Sequence, residues 1–202
     1  MHLLEFNNPK QDIVGFVQKH CSKILEVYRT TGKRLLRGIR SDAKIILEKS
    51  PTNRYPKDTN SKVSAMLDEA LLKEGFTAIR SNSIFCVSDL WEAAHYGDHV
   101  YDIFPIDGFS YSWCATADDL TSKFHLDSIY WTYEGDEDNP HNQFVSDLMH
   151  MPSKEFLDTY RFKDNIDIDH AIEAEHEVLI HGRYVAILNR ETQLLYDITG
   201  KA

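Results

Sequence analysis

The spacing of apolar residues changes along this 202-residue chain, and the change restricts its architecture. Between residues 10 and 31, Ile13, Val14, Phe16, Val17, Ile24, Leu25 and Tyr28 recur at helical spacing. Val63, Met66, Leu67, Ala70 and Leu71 repeat that pattern over 63–76. Toward the end, EHEVLIHGRYVAILN and TQLLYDI (175–198) read as two or three strands. Helices early and strands late predict an α+β fold rather than a doubly wound parallel sheet.

Between these limits the signals are shorter. RLLRGIR (34–40) reads as a strand, and 41–62 as a short helix followed by a polar loop broken by Pro51 and Pro56. TAIRSNSIFCVSD (77–89) is strand-like, and LWEAAHYG (90–97) is a short helix with Asp89 as its N-cap. Asp107-Gly108 within 100–113 predicts a hairpin, with Pro105 on an edge. Helical segments at 117–124, 142–151 and 153–160 flank an acidic loop, EGDEDNPHN. Nothing divides the chain, so one domain over 1–202 is expected, with helix 10–31 packed on it.

Composition removes several classes. No apolar run approaches a membrane span, and MHLLEFNNPKQD lacks the apolar core of a secretion signal. Cys21, Cys86 and Cys114 are odd in number and widely spaced, which predicts a reducing, cytoplasmic setting. His95 and His99 look metal-like, but Gly97 breaks the helix their spacing needs, so no metal is expected. P-loop, GxGxxG and GxSxG signatures are absent. Net charge is −10, yet residues 29–62 carry +7 and the remainder −17. A basic block of this kind suits an anionic ligand or forms a solvated face.

Three elements carry chemistry. Glu175 and Glu177 stand two apart, so a strand would project both from one face; charged edge protection explains them equally. Arg37 lies on an apolar strand and needs an anionic partner, a phosphate or a structural carboxylate. Arg80, Ser81, Ser83 and Ser88 surround Ile84, Phe85 and Val87, where the serines bind a ribose or cap the next helix.

In this order the three elements resemble the Arg–Ser–Glu type of the ADP-ribosyltransferase superfamily. There an arginine–glycine strand, a serine-bearing strand and an E-x-E strand build the site; here these are Arg37-Gly38, RSNSIFCVSD and Glu175-His176-Glu177. The pattern is similar to small transferases of phages and of bacterial toxin or defence systems, and it covers most of residues 34–190. The resemblance implies two packed, mostly antiparallel sheets around an NAD cleft, with flanking helices. The family's S-T-S is replaced by S-N-S at 81–83 and C-V-S at 86–88, so Ser83 is preferred with Ser81 and Ser88 as alternatives.

The resemblance also implies roles. Glu177 would bind the nicotinamide-ribose 2′-hydroxyl and stabilise the oxocarbenium-like transition state, held by Ser83. Arg37 would take the pyrophosphate or adenosine ribose, with Arg80 as a second cation. Gly38 would let the backbone approach the nicotinamide amide, and Tyr96 or Phe85 would stack on that ring. Glu175 would orient the acceptor, selected by the loop at 163–174 with Asp164, Asp167, Asp169 and His170. The implied partners are NAD, a macromolecular acceptor (protein or nucleic acid) and an inhibitory antitoxin, with no membrane and no metal. NAD glycohydrolysis, or a binding module without activity, are the alternatives.

Overall fold

Each unit of this fold is a four-stranded antiparallel sheet with helices packed against it. The computed structural model describes residues 9–56, 59–124, 126 and 140–200. Trp131 and the acidic residues 134–138 of EGDEDNPHN lie outside them, as do Lys57 and Asp58 of the basic block. The elements are α1 (Pro9–His20), α2 (Ser22–Thr31), β1 (Leu36–Ile39), β2 (Ile45–Lys49), α3 (Ser61–Lys73), β3 (Ile84–Cys86), α4 (Leu90–Ala94) and β4 (His99–Pro105). They continue with β5 (Ser110–Cys114), α5 (Leu120–Lys123), α6 (Pro140–His150), α7 (Ser153–Thr159), β6 (Phe162–Asp164), α8 (Ile168–Glu173), β7 (Val178–His181), β8 (Arg183–Leu188) and α9 (Thr192–Thr199). The α+β class holds, with strand orders β1-β4-β8-β2 and β3-β7-β5-β6. Contacts divide the described chain into two compact units. One runs through Lys49 and adds Ser88–Phe109 and the chain from Gly182; the other is Ser50–Val87 with Ser110–His181. No helix among the described residues is long and apolar enough to cross a membrane.

The first unit holds sheet β1-β4-β8-β2 with α1, α2, α4 and α9. Its core includes Ile24, Leu25, Tyr101, Ile103, Phe104, Val185 and Ile187. The expected helix over 10–31 is two helices, because the chain turns at Cys21 (φ −125°, ψ 34°). Asp107 stabilises the break: Oδ2 accepts from the Ser22 N–H (3.0 Å) and hydroxyl (2.7 Å), and Oδ1 from the Lys23 N–H (3.0 Å). Asp107-Gly108 does form a turn, with Gly108 at φ 91°. The expected hairpin is absent, however, because β4 and β5 belong to different sheets. Pro105 ends β4, an interior strand, rather than lying on an edge.

Two more expectations change here. Residues 45–49 form a strand paired with β8 instead of a short helix, as β-branched Ile45 and Ile46 favour. TQLLYDI is helix α9, whose buried Leu194, Leu195 and Ile198 share a helical face.

Burial works to raise the Asp107 carboxyl pKa, but its bonds from Ser22 and Lys23 and the nearby His20 outweigh it and hold it below the ordinary value. A lowered carboxyl pKa contributes stability above the unfolded-state pKa and loses it as pH falls through the folded value. Asp107→Ala should cost about 1 kcal/mol, the usual worth of an N-cap. The deficit should be full at neutral pH and shrink on acidification. Thermal melts of both proteins from pH 7 downward check this; a pH-independent deficit counts against it.

The second unit holds sheet β3-β7-β5-β6 with α3 and α5–α8. Leu67, Leu71, Phe124, Leu126, Phe144, Phe156 and Leu157 fill its core, and the Phe124 and Phe144 rings stack at 4.1 Å. The expected strand at 77–89 contracts to Ile84–Cys86. Upstream, polar side chains take the backbone bonds that a strand would need. Asp68 accepts from the Arg80 and Ser81 N–H groups (2.7 and 3.0 Å), and Asn82 Oδ1 accepts from the Ile79 N–H (3.0 Å).

Candidate functional site

The residues singled out in the sequence fall into two clusters, one in each unit. In the second unit Arg80 is central. It is 6% exposed, and its Nη1 lies 3.6 Å from Oε1 of Glu177, itself 7% exposed. Nη2 donates to Thr59 Oγ1 at 3.0 Å and to Thr121 Oγ1 at 3.4 Å. Its guanidinium sits 4.8 Å from the Phe85 ring centroid, and that of Arg54 sits 3.9 Å from it. Arg80 Nε and Nη1 have no hydrogen-bond partner among the described residues. A buried guanidinium short of acceptors costs free energy, and an entering anionic oxygen would relieve that cost.

Glu177 stands at the head of β7, just outside the ladder, and its N–H donates to the Asp118 carbonyl at 2.7 Å. β7 pairs with β3, Cys86 opposite Val178 and Ile84 opposite Ile180. Glutamate-headed and serine-bearing strands are therefore neighbours. The antiparallel register nevertheless puts Ser83 at the end of the pairing away from Glu177. Ser83 is fully buried and donates to Asn82 Oδ1 at 2.9 Å, so it does not brace Glu177 as expected. Ser81 is tied through its N–H to Asp68.

Glu175 also departs from expectation. The E-x-E segment is not a strand with both carboxylates on one face, because Glu175 has φ 62° and caps α8. Its N–H donates to Ile172 O (3.3 Å) and the His176 N–H donates to Ala171 O (2.9 Å), the paired bonds of a Schellman motif. Glycine is the usual residue there, so a glutamate in that conformation is strained. Arg161, Asn165 and Asp167 also have positive φ, so four such residues fall within 161–175. Strained backbone of this kind clusters at functional sites. The segment expected to be an acceptor loop, 163–174, is in fact the end of β6, a turn and α8.

In the first unit β1 presents Arg37, half-buried, opposite Tyr101 of β4. A Cβ on Gly38 would lie 2.4 Å from both Ala93 O and Gly97 N and 2.9 Å from the Tyr96 carbonyl carbon. A Cβ on Gly97 would lie 2.6 Å from Ile39 N. The end of α4 thus rests on β1 at Gly38, with the Tyr96 and Gly97 backbone against it. The backbone that Gly38 admits is the chain's own.

Comparison with protein-family models, curated proteins and solved structures finds no match to this chain.

Sequence reasoning missed several partners. Asp68, on α3 beside buried Leu67 and Leu71, was a legible anomaly, since a carboxylate on an apolar face needs donors. Thr59 and Thr121 carried no signal, because their role depends on where Arg80 lands. Asp102 on β4 is fully buried, 2.9 Å from Arg34 Nη1 and accepting from Asn189 Nδ2 at 2.8 Å. Burial raises its pKa, against the opposing effects of Arg34 and Asn189. The basic block is accordingly not one free surface. Arg34 pairs with Asp102, Lys44 with Glu191 at 2.9 Å, and Arg54 covers Phe85. His95 follows α4 and His99 opens β4. No group of three potential metal ligands occurs among the described residues.

Proposed function

We propose that this chain is an NAD-dependent mono-ADP-ribosyltransferase with an ADP-ribosyltransferase-like fold, moving ADP-ribose to a macromolecular acceptor. The observation that carries the reading is Glu177, a buried carboxylate at the head of β7, beside the serine-bearing β3 and against Arg80. Among the described residues Arg80 Nε and Nη1 make no hydrogen bond. The order Arg37-Gly38, serine strand, E-x-E adds to it.

In this reading NAD is a substrate. Glu177 accepts a hydrogen bond from the nicotinamide-ribose 2′-hydroxyl and faces the positive charge that grows on the anomeric carbon. That interaction is stronger in the transition state than in the ground state. The carbon–nitrogen bond breaks, its electron pair leaves with nicotinamide, and the acceptor bonds to the same carbon. Arg80 supplies a guanidinium group for the anionic oxygens of NAD and Phe85 an aromatic face; for Arg37 and Tyr96 the roles are those the sequence resemblance implies. NAD hydrolysis is the second reading. It is favoured by the turn conformation of Glu175, which takes that residue out of a strand shared with Glu177.

The wild-type protein should release nicotinamide from NAD, measured by chromatography. Arg37→Ala should weaken NAD binding about tenfold in calorimetry, and Arg37→Lys should not restore it, because a lysine cannot reproduce the planar fork. Neither release nor NAD binding by wild type would remove the reading. Equal affinity of wild type and Arg37→Ala would remove Arg37 from it.

A further inference from the structure

We propose that the first unit carries a nucleotide site at one end of its sheet, with Trp91 as the platform for the base and Arg190 as the contact for the phosphate. The inference rests on no part of the transferase reading. A pocket of about 350 Å³ lies there, between α4, the start of β4 and the chain that leaves β8. Its apolar wall includes Leu90, Trp91 and Leu188, and its polar groups include Asp98, Asn189 and Arg190. That volume is at the small end for ligand sites and suits one nucleotide rather than a helix of a partner protein.

Trp91 is 79% exposed and its neighbour Leu90 48%, whereas α4 turns Ala93 inward. A tryptophan on the rim of a pocket leaves a large apolar face in water, and a stacked base covers it. The platform is fixed before a ligand arrives. Asp89 Oδ1 accepts from the Trp91 and Glu92 N–H groups (2.8 and 2.9 Å), and the end of α4 rests on β1 at Gly38. Asn189 is fixed as well: its N–H donates to the Val100 carbonyl (2.9 Å) and its Nδ2 to buried Asp102 (2.8 Å). Oδ1 of Asn189 is thereby left to accept.

Arg190 is exposed and makes no ion pair among the described residues; the adjacent Glu191 pairs with Lys44 at 2.9 Å. A planar guanidinium beside an aromatic platform suits a phosphate oxygen. Asn189 Oδ1 and the Asp98 carboxylate both accept, so they match the exocyclic amino group of adenine or cytosine and not the carbonyl that uracil carries in its place. The phenyl ring of a peptide would fill the same space but has no amino edge for them to hold. Free nucleotides and single-stranded nucleic acid share this chemistry, and the test separates them.

Calorimetry and tryptophan emission are read on wild type, Trp91→Ala and Arg190→Gln, with AMP, UMP and short oligoadenylate and oligouridylate as probes. Both side chains are exposed, so the variants should melt with wild type. AMP should quench wild-type emission and bind more tightly than UMP, and each variant should weaken AMP binding by about fivefold or more. Tighter binding of oligoadenylate than of AMP per base, falling with added salt, identifies single-stranded nucleic acid as the source; no such gain identifies the free nucleotide. Absence of binding by all four probes, AMP no tighter than UMP, or a loss below about fivefold in Trp91→Ala overturns the inference. So does a wild-type dimer in sedimentation that Trp91→Ala dissolves, because a second copy of the chain would then be the occupant of this face.

Discussion

Glu177→Gln should lower the turnover of NAD by 10²–10³-fold, roughly the loss seen when one electrostatic contact to a transition state is removed. The amide keeps the size of the side chain and one accepting oxygen and removes the charge that faces the growing cation. The structure adds a second consequence. Glu177 is also the carboxylate partner of Arg80, and both are buried. Leaving a buried cation unpaired costs on the order of 3 kcal/mol, even with Thr59, Thr121 and Phe85 around it. The melting temperature should therefore drop by about 10 °C. Turnover must be measured well below the variant's own transition and divided by folded protein. A purely structural ion pair predicts the thermal loss with full turnover per folded molecule. The double variant Arg80→Met/Glu177→Leu separates the roles further, since apolar replacement of both partners often restores stability. It should recover much of the melting temperature and none of the activity. More than about a tenth of wild-type turnover in folded Glu177→Gln would sink the assignment.

What was legible in the sequence depended on how local its cause was. α3 follows from its apolar stripe, α4 from the Asp89 carboxylate accepting at Trp91 and Glu92, and the end of α2 from Gly32 at φ 73°. The misread segments have causes elsewhere in the chain. Helix 10–31 breaks where Asp107, 85 residues from Ser22, satisfies new N–H groups. TQLLYDI fits strand and helix equally over so few residues, and packing of α9 beside α1 and α2 selects the helix. The E-x-E spacing suggests a strand face only while β7 is imagined to start early; the cap of α8 delays it to Val178. In the candidate site, Arg80, Phe85 and Glu177 come together across long stretches of sequence. Ser83 does not join them, because register, invisible in a single strand, decides which end meets the glutamate.

The second large effect concerns Gly38 and Gly97. Neither has the positive φ that ordinarily demands glycine, so the requirement is steric. An added Cβ on Gly38 meets carbonyl and amide atoms at 2.4 Å, and these cannot swing aside as a flexible side chain can. Relief requires β1 and the end of α4 to separate, which disturbs the pairing of Arg37 with Tyr101 and the position of Tyr96. Gly38→Ala should therefore cost about 3 kcal/mol or more, at the upper end for overpacking, and lower the melting temperature by about 10 °C. Gly97→Ala strikes the same crossing, at 2.6 Å from Ile39 N. Once one methyl has forced the elements apart, the second finds room, so the double variant should lose less than the sum of the two. Gly15 is the internal control. It lies within α1 with nothing inside 4 Å of an added Cβ, so Gly15→Ala should stabilise by about 0.5–1 kcal/mol. Thermal melts of the four variants decide the matter, and NAD affinity adds a second readout because Arg37 is the neighbouring residue. A Gly38→Ala protein melting within about 2 °C of wild type would mean that the crossing yields easily. The glycine would then not be what fixes the end of α4 against β1.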